Sequence, residues 1–179
     1  MNSQTKQRYI STSIWSDDWF DSLSEREKLV YFYLLTNERS NIVGIYPCTL
    51  KNIRVEMGIT REEIEAIMSK FAEAEKAFYF KCYVIIPKGM KHQKLRERKK
   101  LFLAARAILI SLPKEVKEFI LNKKDLFEFE EFKEFQADLE DIVDGELITT
   151  SELSIKLGIS RAQTLRLANE LFEEKIENG

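Results

Sequence analysis

Apolar residues recur at Ile64, Ile67, Met68 and Phe71, the i, i+3, i+4, i+7 spacing that lines one face of an α-helix. A matching face returns one hundred residues later at Thr164, Leu167, Ala168 and Leu171. Both runs follow a turn of one design, "MGITREE" from Met57 to Glu63 and "LGISRAQ" from Leu157 to Gln163. Ile53 and Met57, which precede the first turn, have counterparts in Leu153 and Leu157. The Gly of each turn permits positive φ at a helix C-cap. Thr60 with Glu63, and Ser160 with Gln163, form capping boxes that satisfy free backbone N–H groups of the next helix.

The elements before the first turn are equally patterned. Ser24 and Glu27 make a capping box ahead of "LVYFYLL", which predicts a helix over Ser24 to Thr36. Trp15, Trp19 and Phe20 lie just before that helix and are expected to pack on it. "IVGIYP" is a short β-branched run ended by Pro47 and reads as a strand. Thr49 caps a helix that ends at Gly58, and "AFYFKCYVIIP", rich in aromatic and β-branched residues, reads as a hairpin. Helix, strand, helix, tight turn, helix, hairpin is the order of a winged helix–turn–helix.

After Pro87 a basic stretch runs into a helix expected to reach about Ile110, and Pro113 opens a short helix capped by Ser111. Phe129, Phe132, Phe135, Leu139 and Ile142 then recur at spacings of three and four, an acidic amphipathic helix broken by Asp144-Gly145. Thr149 with Glu152 caps the start of the last unit. The expected fold is mainly α with a small β wing. Residues 1–92 form a winged helix–turn–helix, 93–144 the basic and acidic linking helices, and 145–179 a second helix–turn–helix-like unit. The chain stops at Asn178-Gly179, a hairpin signal with no strand after it, so a second wing lost by truncation is expected. A natural, frayed end is the alternative.

Composition narrows the function classes. The 179 residues are 44% hydrophobic, enough to bury a core. Cys48 and Cys82 are expected to be free thiols, and with a single His they complete no metal-ligand pattern. The first residues hold no apolar signal-peptide core, and the longest apolar stretch, Leu101 to Ile110, is too short to span a bilayer. A cytoplasmic protein without membrane contact is expected. Glycine-rich phosphate loops and nucleophile–His constellations are missing from the sequence, so neither catalysis nor a cofactor or metal is expected.

The net charge of −2 conceals a strong polarity. Lys88 to Arg106 holds eight Lys/Arg and one Glu, whereas Glu115 to Glu146 holds twelve Asp/Glu and four Lys. The helix after the first turn starts with Glu62, Glu63 and Glu65, which suit capping and the helix dipole and argue against base reading. The helix after the second turn carries Arg161, Gln163, Arg166 and Asn169, side-chain types that pair with guanine or adenine in the major groove. A solvated polar face explains the same residues without DNA.

Lys88, Lys91, His92, Lys94, Arg96, Arg98, Lys99 and Lys100 form the second candidate group, suited to phosphate contact without sequence reading. Taken at a helical step, Lys94, Arg96, Arg98, Lys99 and Lys100 point in nearly all directions, so this segment is expected to lie off the apolar core and face solvent, the acidic helix or phosphate. A solvated helix start is the plain alternative. The acidic helix has three readings, ranked in order: core packing with a solvated back, a docking surface, and an internal screen over the basic stretch.

One resemblance orders these motifs. Ile14-Trp15-Ser16-Asp17-Asp18-Trp19-Phe20, Leu34-Leu35-Thr36-Asn37, Gly44-Ile45-Tyr46 and Lys91-His92-Gln93 follow one another as in the N-terminal module of phage replisome organisers and DnaD-type primosomal proteins. The likeness covers roughly residues 8–121. It implies a winged-helix module that helps start DNA replication, associates with itself and contacts replication proteins such as a helicase or its loader. The C-terminal DNA-binding domain usual in that family is not found, and the second helix–turn–helix-like unit stands in its place. The function expected is non-catalytic DNA binding in phage or prophage replication initiation. A protein-interaction adaptor or a transcriptional regulator is the alternative.

Overall fold

The computed structural model describes residues 8–91, 93, 95, 98–127, 132, 133, 135, 136, 139 and 140. The unit expected over 145–179, with Arg161, Gln163, Arg166 and Asn169, lies outside the described residues. So do His92, Lys94 and Arg96, and positions Phe129 and Ile142 of the acidic stripe. Among the described residues the chain is mainly helical, with one small three-stranded antiparallel sheet.

A 3-10 turn over Thr12–Ser16 leads into α1 (Asp18–Asp21) and then α2 (Glu25–Thr36). Ser24 and Glu27 exchange the two bonds of a capping box at 3.3 and 2.7 Å, which fixes where α2 begins. Trp19, Phe20 and Trp15 pack on this helix through edge-on or tilted contacts with Tyr31 and Phe32. Strand β1 (Ile45–Pro47) follows a turn organised by Asn41, whose side-chain oxygen accepts from the N–H groups of Val43 and Gly44, both at 3.0 Å. Next come α3 (Leu50–Met57) and α4 (Arg61–Glu73). The turn between them places Gly58 at φ 62°, and Thr60 and Glu63 close a second capping box at 2.9 and 3.2 Å.

Strands β2 (Phe78–Phe80) and β3 (Tyr83–Ile85) form a hairpin closed by Lys81 and Cys82, both at positive φ. The sheet order is β1-β3-β2, with Tyr46 opposite Val84 and Tyr79 opposite the same residue. Alternation along the strands divides the core. Tyr46 and Val84 join the cluster of α2, α3 and α4. Ile45, Phe78 and Ile85 face the other way, into a cluster built by α5 (Lys99–Ile110), α6 (Lys114–Leu121) and the 3-10 turn Lys124–Phe127. Phe132, Phe135 and Leu139 complete that second cluster, and Phe135 packs on Phe102 of α5 with ring centroids 4.7 Å apart. Both faces of the sheet are therefore covered, which is why its strands read as nearly continuous apolar runs.

Two local expectations are corrected. Ser111 does not cap α6. Its N–H still bonds the Ala107 carbonyl and its hydroxyl donates to Ile108 O at 2.8 Å, so it closes α5. Pro113 restricts Leu112 to extended backbone, and α6 starts after it without a side-chain cap. The basic stretch, in turn, is not helical at any of its described residues before Lys99. Single turns are described there, with Lys91 N–H on Lys88 O, Gln93 N–H on Met90 O and Arg98 N–H on Leu95 O. Irregular backbone lets Met90 and Leu95 drop fully into the core while Lys88, Lys91 and Arg98 stay exposed, so charge all round does not hold this segment off the apolar interior.

Candidate nucleic-acid interface

The start of the basic segment is anchored by backbone contact. Gly89 lies so close to Gly44 that a Cβ on it would meet the Gly44 Cα at 2.9 Å. Glycine at both positions lets the chain leave β3 against the turn that begins β1. Four residues on, Gln93 is buried, and its amide brackets the backbone of Tyr9. Nε2 donates to the Tyr9 carbonyl at 3.1 Å and Oε1 accepts from the Tyr9 N–H at 3.5 Å. Arg8 adds a bond from its guanidinium to the Ser40 carbonyl. The N-terminal segment thus lies along the basic one.

Arg98 sits over the ring of Tyr9, 5.3 Å from its centroid, and donates to the Tyr9 hydroxyl at 2.8 Å. Lys88 borders the same cleft as Tyr9 and Gln93. Lys88 and Lys91 also meet Lys76 around a second recess of about 310 Å³, where Glu75 and Asp125 supply the opposite charge. Lys76 is engaged, paired with Asp17 at 3.1 Å and lying over the Trp19 ring. Among the described residues no carboxylate comes within ion-pair distance of Lys88, Lys91, Arg98 or Lys100, and all four are exposed.

The first turn of α5 sharpens this picture. Its N-cap position is Arg98, which makes no side-chain cap bond, and Lys99 and Lys100 follow with no acidic residue in the turn. Helix N-termini carry partial positive charge and favour carboxylates, so two cations there raise the local potential at some cost in stability. The starts of α2 and α4 do the opposite, with capping boxes and acidic first turns.

The cations of α4 are occupied. Arg61 pairs with Glu65 at 2.8 Å and Lys70 with Glu27 at 2.8 Å, and Arg26 reaches Glu63 at 3.7 Å. The Lys70 ammonium holds the Glu27 carboxyl below its usual range, and the Thr60 N–H does the same for Glu63. This helix presents Glu62 and Glu73 to solvent, a surface that repels phosphate.

Of the expected DNA-binding residues, the structure brings Lys88, Lys91 and Arg98 into one neighbourhood and places Lys100 in the adjoining helix turn. Lys99 is the first residue of α5. Tyr9 and Gln93 were not among the residues singled out as binding side chains. Exposed Tyr within an unremarkable N-terminal segment carries no local signal, and only the long-range bond to Gln93 puts it on this surface. Among the described residues no helix is long and apolar enough to cross a membrane, and no group of three or more His, Cys, Asp or Glu could hold a metal ion. No family model, curated protein or solved structure matches the chain.

Proposed function

We propose that this chain is a non-catalytic DNA-binding protein that acts in phage or prophage replication initiation. In this reading residues 1–92 are a winged helix whose helix after the tight turn, α4, packs and caps instead of entering the groove. The basic segment from Lys88 to Lys100 grips phosphates. The observation that carries the reading is the first turn of α5, where Lys99 and Lys100 occupy a helix N-terminus with no side-chain cap bond and no acidic residue within the turn. A helix start is normally stabilised by anionic groups. Here none is supplied from the turn itself, and a nucleic-acid phosphate is the group that fits. The assignment to replication rests on the resemblance of residues 8–121 to replisome organiser modules.

A titration of duplex DNA at several salt concentrations tests the reading. Binding should weaken steeply with salt, by about 0.9 in log–log slope for each phosphate engaged. No measurable affinity for duplex or single-stranded DNA at low salt would favour the second reading, a protein-interaction adaptor. That alternative draws on Trp15 and Leu29, which are 65% and 60% exposed near the surface of α2.

A further inference from the structure

We infer that the surface around Tyr9 is a stacking platform for unpaired bases, so that the DNA it holds is single-stranded. This deepens the proposed function and rests on it. Four observations carry the inference. Tyr9 is a large aromatic residue left 44% exposed. Its backbone is fixed at both N–H and C=O by the buried amide of Gln93, so the ring is held in place and little ordering remains to be done on binding. One cation, Arg98, already lies against the ring and bonds its hydroxyl. Lys88 and Lys91, exposed and without a described carboxylate partner, stand on the segment to which Tyr9 is tied.

The geometry discriminates between strands. In a duplex both faces of each base are covered by its neighbours, and an aromatic side chain on a protein surface has nothing to stack on. A single strand offers a base face to the ring and its phosphates to the lysines, the pairing of aromatic and cationic groups that sequence-tolerant single-strand binders use. Arg98 extends the platform, since guanidinium planes also stack on bases. Phosphate grip alone would need the cations but would leave an ordered, exposed ring among them without a task.

The test compares labelled oligothymidylate, a duplex of equal length and an abasic strand, each about 15 nucleotides long to cover one binding site, by fluorescence anisotropy on the full chain at low salt. Tyr9→Ala should weaken oligothymidylate binding about tenfold, with little change for duplex or abasic strand. Tyr9→Phe should keep the affinity, because the ring and not the hydroxyl does the stacking. Equal losses on all three ligands, or no loss on any, would overturn the inference while leaving duplex binding intact as a function. Failure of the unaltered chain to bind any of the three would overturn the DNA-binding reading itself. Photocrosslinking of an iododeoxyuridine-substituted oligothymidylate to the unaltered chain is independent of variant folding. Adducts on the peptide containing Tyr9 support the platform, and adducts confined to other peptides contradict it.

Discussion

The side-chain amide of Gln93 brackets the backbone of Tyr9, donating to its carbonyl at 3.1 Å and accepting from its N–H at 3.5 Å across 84 positions of sequence. A glutamine used this way acts as a strand neighbour would, satisfying both main-chain groups of Tyr9. Gln93→Ala should therefore cost about 1–2 kcal/mol in urea unfolding, since it leaves backbone groups unpaired. It should also make the peptide bonds around Tyr9 cleave faster in limited proteolysis. Unchanged stability and an unchanged cleavage pattern would show that the bracket holds nothing.

The two glycines at the root of the basic segment should respond differently from Gly58. A Cβ on Gly89 would meet the Gly44 Cα at 2.9 Å, a contact with backbone that cannot rotate away. Gly89→Ala is expected to destabilise by about 1–3 kcal/mol through forced backbone shift. Gly58 has open space around it but stands at φ 62°, so Gly58→Ala should cost only the left-handed strain of about 1–2 kcal/mol. Thermal melts of both variants check this, and only Gly89→Ala should also weaken DNA binding, because only it displaces Lys88 and Lys91.

The hairpin turn carries strain of its own. Lys81 and Cys82 occupy φ 47° and 62°, values that two-residue hairpins usually assign to Asn and Gly. Cys82→Gly should raise stability by about 0.5–1 kcal/mol, as relief of a left-handed cysteine exceeds the added freedom of the unfolded chain. A lower melting temperature would mean that the Cys82 side chain holds the turn through contacts worth more than the strain.

Acid should destabilise the helical half by a nameable route. The Lys70 ammonium holds Glu27 below its ordinary 4.5, and the Tyr33 hydroxyl with the Arg39 guanidinium does the same for Glu56. For Asp17 burial opposes ionisation, but the Phe20 N–H and the Lys76 ammonium outweigh it and bring the carboxyl below 3.8. Folded-state values depressed below unfolded ones mean that the unfolded chain takes up protons first as pH falls. The stability these groups contribute is present above about pH 5 and is lost as pH drops through their depressed values. Urea midpoints measured from neutral pH downward should fall in that window, and Glu27→Gln should soften the fall.

Much of this fold is legible in the sequence wherever a few consecutive residues decide the structure. Ser24 with Glu27 and Thr60 with Glu63 announce their helices because a capping box is closed within four residues. Gly58 and the hairpin before Pro87 are read for the same reason. Charge alone does not show where the backbone turns after Pro87, because the turns described there go with Gly89 and with burial of Met90 and Leu95. Ser111 was misplaced because a hydroxyl before Pro looks like a cap, whereas its own N–H still belongs to α5. The binding surface was half legible. Its lysines stand out in composition, but Tyr9 joins them only through a tertiary contact that no local pattern encodes.

The central claim is that the exposed cations of the basic segment hold phosphate. Its most direct measurement is the salt dependence of DNA binding by a chain carrying Lys88→Gln, Lys91→Gln and Lys100→Gln together, set beside the unaltered chain. The account predicts a log–log slope shallower by about 0.9 for every one of these lysines that neutralises a phosphate on duplex, with weaker binding at low salt. An unchanged slope and affinity in a variant that melts normally would contradict it.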